Sequence, residues 1–175
     1  MIEDIRLNMT RTMIFLVFAG FFAAGCADRY ESLEAESGEY NLIELAGSGD
    51  DVSFSVKFKL TNFSSNADWP PAAYVGFYQG RNTNDSVQFF IAKDRPTDSY
   101  VVAGYRVIEF GEEIRRVNLS TLELNHKANV HMSFVRGLFT VALEGVEPAI
   151  IETDLDSVKP YISVSSGAAK FAIDT

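Results

Sequence analysis

From residue 51 onward the hydrophobic positions alternate with polar ones. Val52, Phe54, Val56, Phe58 and Leu60 are separated by Ser53, Ser55, Lys57 and Lys59, the period of two of a strand with one face in a core and one in water. The same period runs through Val87, Phe89 and Ile91, through Val130, Met132 and Phe134, and through Phe139, Val141 and Leu143. It predicts strands over 40–45, 51–60, 73–79, 86–93, 100–108, 115–119, 129–135, 139–144, 161–164 and 168–173. Turn-forming clusters separate them: Gly47-Ser48-Gly49-Asp50, Asn82-Thr83-Asn84-Asp85, the stretch 94–98, Arg136-Gly137 and Glu144-Gly145. No amphipathic helix of ordinary length is expected after residue 26. The chain reads as all-β, with more strands than one open sheet holds over one dry face, so a sandwich or barrel is expected.

The first 26 residues follow a different pattern. An apolar run over 13–22 follows Arg6 and Arg11 and ends in Ala23-Ala24-Gly25 directly before Cys26, the single cysteine of the chain. The run is too short to span a bilayer, and the basic start with a small-residue end is that of a secretory address. It resembles the bacterial lipoprotein signal. That resemblance implies that Cys26 carries acyl chains such as palmitate, that 1–25 is cleaved, and that the mature chain works on the cell envelope. With Ala27 rather than aspartate after the cysteine, the resemblance favours the outer membrane where the envelope has two. With no second cysteine, no intramolecular disulfide is available, and stability must come from packing.

Charge narrows the partners. The formal net charge is −9, and removing 1–25 takes away two acids (Glu3, Asp4) and two bases (Arg6, Arg11), so all of it stays with the mature part. This argues against nucleic acid and anionic headgroups as general partners, which select for clustered Lys and Arg. Residues 26–39, with Glu31, Glu34, Glu36 and Glu39, read as an acidic tether that would span on the order of 20 Å if disordered. The expected organisation is therefore a signal over 1–25, an acylated cysteine and tether over 26–39, and one β-domain over 40–175.

Several stretches of that domain resemble the concanavalin A-like lectin and glucanase (laminin G-like) superfamily. They are Phe-Ser-Val-Lys-Phe-Lys-Leu-Thr-Asn over 54–62, Tyr74-Val75-Gly76-Phe77-Tyr78, the strand over 85–91, the strand pair over 129–145 and the closing strands over 161–173. The resemblance implies a two-sheet antiparallel jelly-roll sandwich and either glycan binding or glucanase activity. A bacterial lipocalin barrel is the structural alternative. It would carry Gly-x-Trp in its first strand, whereas Trp69, the only tryptophan, stands before Pro70-Pro71 in a segment suited to a loop.

Several predicted strands are apolar on both faces. Sugar recognition needs flat aromatic rings and planar polar groups, so a sheet face bearing Tyr74, Tyr78, Gln88 and Tyr105, rimmed by Trp69 and Arg81, is the candidate glycan cleft; the competing reading is that loops cover this face as ordinary core. Glu152, Asp154 and Asp156 would share one strand face at steps of about 6.5 Å, a spacing that could hold a glycosidase pair, yet they suit a solvated turn equally. Glu109, Glu112 and Glu113, beside Arg115 and Arg116, read as a charged hairpin. No cofactor is implied, although Asn82, Asn84 and Asp85, or Asp50 and Asp51, offer oxygen ligands for calcium as well as turn chemistry. His126 and His131 lie five apart, which on a strand separates them to opposite faces and makes a poor zinc pair. The expected function is a non-catalytic module for a polysaccharide or glycoconjugate. The alternatives are a structural or adhesion protein binding another envelope protein, and a glycoside hydrolase.

Overall fold

The computed structural model describes residues 29–63, 68–81, 83–95 and 97–174, and every regular element in them is a β-strand. Cys26, the signal segment and Asn82 lie outside the described residues. In chain order the strands are β1 (Arg29–Glu34), β2 (Tyr40–Glu44), β3 (Asp51–Phe63), β4 (Ala72–Gln79), β5 (Asp85–Ala92), β6 (Tyr100–Glu109), β7 (Glu112–Glu123), β8 (Ala128–Val135), β9 (Leu138–Leu143), β10 (Ala149–Glu152), β11 (Lys159–Ser165) and β12 (Gly167–Asp174). They build two antiparallel six-stranded sheets, the first ordered β1-β12-β3-β8-β9-β10 and the second β2-β11-β4-β5-β6-β7.

The alternation sets which face of each sheet turns inward. Phe54, Val56, Phe58 and Leu60 of β3, Val130, Met132 and Phe134 of β8, and Ala169, Phe171 and Ile173 of β12 form one wall of the core. Val75, Phe77, Val87, Phe89, Ile91, Ala103 and Tyr105 form the other. Aromatic contacts join the walls. Phe77 meets Phe54 and Phe139 edge-on, both with ring centroids 5.1 Å apart, while Phe58 meets Phe89 at 5.9 Å and stacks on Phe171 at 5.4 Å. Such pairs add to the burial of the rings themselves. Both sheets keep free edges, so the architecture is a sandwich and not the closed lipocalin barrel.

Three strands depart from the sequence reading. Residues 29–34, expected within the acidic tether, form β1 and pair with β12 from Arg29 opposite Ile173 to Glu34 opposite Ala168. Leu33 and Ala35 enter the core while Glu34 and Glu36 stay in water, so burial of two alternate apolar side chains accommodates the acids around them. Residues 29–34 thus belong to the β-sandwich and not to the tether. β10 was not expected at all, and β7 runs well beyond the predicted 115–119.

Gly104 marks a close strand approach. The register of β6 against β7 shifts between Ala103 and Gly104. A Cβ at Gly104 would overlap the Val117 carbonyl oxygen and stand 2.9 Å from Cζ of Phe90. Backbone cannot yield there without breaking the ladder. Gly104→Ala should therefore lower stability by about 1–3 kcal/mol, read as a reduced urea midpoint; an unchanged midpoint would show that the two strands can separate freely.

Candidate functional site

The alternation that sends Val75, Phe77, Val87, Phe89 and Val107 into the core turns Tyr74, Gly76, Tyr78, Ser86, Gln88, Phe90 and Arg106 onto the outward face of the second sheet. Register aligns them in rows. Tyr161 of β11 stands opposite Gly76, Gly76 opposite Gln88, and Gln88 opposite Arg106. In the next row Ser163 stands opposite Tyr74, and Tyr74 opposite Phe90.

A polar chain runs through the first row. Arg106 Nε donates to Gln88 Oε1 at 2.8 Å, Gln88 Nε2 donates to Ser86 Oγ at 2.9 Å, and Ser86 Oγ donates to the Thr83 carbonyl at 2.8 Å. The Arg106 guanidinium lies 4.5 Å from the centroid of the Tyr74 ring and reaches Glu113 Oε2 at 3.4 Å. Charge over the face of a phenol ring is attractive, so the arginine is held flat against the sheet. Arg116 covers Phe90 in the same way at 4.4 Å.

A second cluster lies toward β2. The Tyr78 hydroxyl donates to a Glu44 carboxylate oxygen, and Lys159 Nζ stands 3.5 Å from the other oxygen of Glu44 and 5.8 Å from the Tyr78 ring centroid. Tyr161 meets Tyr78 edge-on at 5.5 Å. The Tyr161 and Ser163 hydroxyls are buried and, among the described residues, make no hydrogen bond of normal geometry. Tyr40, 46% exposed on edge strand β2, interacts with both at looser geometry, and its ring centroid is 6.4 Å from that of Tyr74.

Burial, and then the hydrogen bond to Glu44, push the Tyr78 phenol up to about 12, and burial pushes Tyr161 well above the ordinary 10.0. The same hydrogen bond holds the Glu44 carboxyl below its ordinary value. At neutral pH these phenols are proton donors and hydrogen-bond partners, not bases. Because the folded protein keeps a Tyr78 proton that the unfolded chain sheds near pH 10, this stabilisation is complete below pH 10 and is lost as pH rises toward 12. Tyr78→Phe should flatten the alkaline fall in unfolding free energy over that window and let the Glu44 pKa rise in an NMR titration. A Glu44 titration indifferent to the substitution would dismiss the contact.

No protein-family model matches the chain, and no curated protein matches it by sequence. Solved structures do. The carbohydrate-binding module CBM66 from Bacillus subtilis is similar over 83% of this chain and 95% of its own, with TM-score 0.55 and 13% identity. The alginate lyase AlgAT5 of polysaccharide lyase family 7 is similar over 82% of this chain and 74% of its own, with TM-score 0.57 and 10% identity. An alginate lyase from Klebsiella pneumoniae has TM-score 0.55 and 9% identity, and the match covers 71% of this chain and 58% of the lyase. The fold is a two-sheet antiparallel jelly-roll sandwich. At these identities the likeness extends to the fold alone.

On this jelly roll the predicted cleft residues separate. Tyr74, Tyr78 and Gln88 do share the outward face, but Tyr78 and Gln88 are only 2% and 1% exposed, so they form a floor beneath Glu44, Lys159 and Arg106 instead of an open surface. Tyr105 faces the core, opposite Phe89; the parity that buries Ala103 and Val107 buries it too. Trp69, 53% exposed, leads into β4 and lies against the Gly38 turn. Arg81 is exposed beyond the other end of β4, a strand length of about 25 Å away, so the two cannot rim one short cleft. Arg106, Tyr40, Tyr161 and Ser163 were missed. The signal for Arg106 was present, as a lone charge inside the apolar run 100–108.

Of the carboxylate alternatives, Glu109 stands opposite Glu112 across the β6–β7 ladder and lines a groove of about 360 Å³ together with Glu152 and Asp154, apart from the outward face of the second sheet. Glu44 and Glu113 occupy the two edge strands of the second sheet, about 24 Å apart at five strand spacings, whereas glycosidase pairs sit at about 5–9.5 Å. Glu152 is exposed on edge strand β10, and Asp154 and Asp156 lie in the connection to β11, where Asp156 N–H donates to Gln79 Oε1 at 2.8 Å. His131 faces outward from the first sheet, bonded to Ser55 at 3.0 Å, and His126 lies in the β7–β8 connection. Among the described residues no three His, Cys, Asp or Glu side chains gather as metal ligands. Asp85 accepts a hydrogen bond from the Phe110 N–H at 2.8 Å and the Asn84 carbonyl accepts one from Gly111 at 2.9 Å, which binds one hairpin turn to the next.

Proposed function

We propose that this protein is a non-catalytic polysaccharide-binding module, held on the bacterial envelope by an acylated Cys26, that binds glycan across the outward face of its second sheet. The carrying observation is the polar layer on that face: the Ser86-Gln88-Arg106 chain, and the buried hydroxyls of Tyr161 and Ser163, which Tyr40 approaches only at loose geometry. A structural sheet face is either core or freely hydrated, and a buried polar network is costly unless it orients something. The half-exposed rings of Tyr40 and Tyr74 offer stacking surface, and Arg106, Glu44 and Lys159 offer planar or charged partners for sugar hydroxyls. A carbohydrate-binding module and alginate lyases among the structural neighbours support a saccharide ligand. Phenols held protonated, on a face whose carboxylates stand at opposite edges, favour binding over bond cleavage.

The test is retardation of the chain from Ala27 to Thr175 on a panel of immobilised polysaccharides. At least one polymer should retard it, and Tyr74→Ala should reduce the retardation about tenfold. A folded chain that passes every polymer unretarded would refute the reading and point to a protein partner on the envelope, to be sought by crosslinking. Depolymerisation of a retained polymer would replace binding with catalysis. Intact mass of the full-length product from membranes tests the acyl chains on Cys26.

A further inference from the structure

The outward face of the first sheet carries a feature of opposite character. β3 projects Lys57 and Lys59 outward on either side of buried Phe58, β12 sets Lys170 directly opposite Lys59, and Lys127 stands just before β8. Four of the chain's six lysines thereby line one groove of about 410 Å³. None of them forms an ion pair among the described residues. Like charges directly opposite across an antiparallel ladder destabilise it, and a chain of net charge −9 has acids to spare for neutralising them. The flanking acids are Glu31 and Glu34 on β1, Asp174 opposite Ser55, and Glu144, whose carboxylate accepts a hydrogen bond from Asn129.

We propose that this groove seats on an anionic phospholipid surface, that of the membrane carrying the Cys26 anchor. The inference rests on the anchored reading above and on where the chain joins the sheet. β1 is the edge strand of this same sheet; Arg29 stands opposite Ile173, which stands opposite Val56, the residue before Lys57. The point of attachment is thus about 10 Å from Lys57, two strand spacings away. Two residues, three Cα-to-Cα steps, separate Cys26 from Arg29 and reach at most about 11 Å, so an acyl chain there holds the lysine face close to the headgroups. The net charge of −9 argues against anionic headgroups as partners of the whole surface, but screening over about 8 Å lets this one lysine face act independently of the acids on the far sheet. Seated this way, the polar face of the second sheet points off the membrane toward polymers.

The experiment sediments the chain from Ala27 to Thr175, which keeps all the strands described, with vesicles of phosphatidylglycerol or of phosphatidylcholine. Partition should favour phosphatidylglycerol, on the order of a thousandfold for the four lysines at low salt, and fall as salt is raised. Lys57→Ala and Lys59→Ala should each weaken it about fivefold, leaving the thermal midpoint level or higher and polysaccharide retardation unchanged. Equal binding to both lipids, or full phosphatidylglycerol binding by the folded Lys57→Ala/Lys59→Ala/Lys170→Ala variant, would overturn the proposal. The anchor fails separately: full-length protein recovered without acyl chains would refute anchoring, while a phosphatidylglycerol preference would still uphold the groove as a membrane contact.

Discussion

Phe77→Ala should cost about 3–5 kcal/mol of unfolding free energy, a large part of the 5–15 kcal/mol typical of a domain. Phe77 is fully buried on β4 and reaches across the sandwich to Phe54 on β3 and Phe139 on β9. Removing the ring leaves a cavity between two sheets that are each stiffened by their own ladders, so neither wall can collapse into it. Phe77→Leu keeps most of the volume and should cost less than about 1.5 kcal/mol. Urea unfolding of the two variants separates the readings: a drop in midpoint with constant slope for alanine, and little for leucine. Equal, small losses would mean that the sheets slide together and that the interlocking rings are dispensable.

Arg106→Ala should abolish polysaccharide retardation by at least tenfold, about 1.4 kcal/mol, and should also weaken the fold. Among the described residues its guanidinium is the donor to the buried Gln88 oxygen, and it covers the Tyr74 ring. Without it an amide acceptor is left beneath the face with no partner, at a cost of about 1–3 kcal/mol. Arg106→Lys keeps the charge but lacks the planar fork, so it should recover little of the binding. Calorimetry on the retained polymer, beside thermal unfolding, distinguishes a binding role from a structural one. Retardation by a folded Arg106→Ala protein equal to that of the parent would sink the proposed site.

The strands most legible from the residues are those with one wet face. In β3, β8 and β9 strict alternation reports which side is buried, and the observed core contains the apolar residues that it names. β1 was hidden because its acids outnumber its apolar positions; only Leu33 and, just beyond the strand, Ala35 betray a buried side, and the partner that buries them lies some 130 residues downstream. β10 is four residues with consecutive apolar side chains and a proline before it, too short for a period. The site was legible in part. Tyr74, Tyr78 and Gln88 fall on one face by simple parity, and the same parity, applied from Ala103 and Val107, places Arg106 there and Tyr105 in the core. What parity cannot supply is which residue lies across the ladder. The contacts of Glu44 with Tyr78 and of Arg106 with Gln88 depend on register, and register follows from the assembled sheet.

The order of the sheets also bears on when the protein can fold. β1 pairs with β12 and β2 pairs with β11, so each sheet is closed at one edge by a strand from the start of the chain bound to one from its end. Such closures come late, because nearly the whole chain must be looped before they form. During synthesis the leading strands have no ladder to join until the last residues emerge. A chain delayed in this way stays extended for longer, which suits passage to the envelope location proposed above, and it locks only after its last strand is made. A product truncated before β12 would arrive with the edge of β3 bare, an open template for pairing with its neighbours.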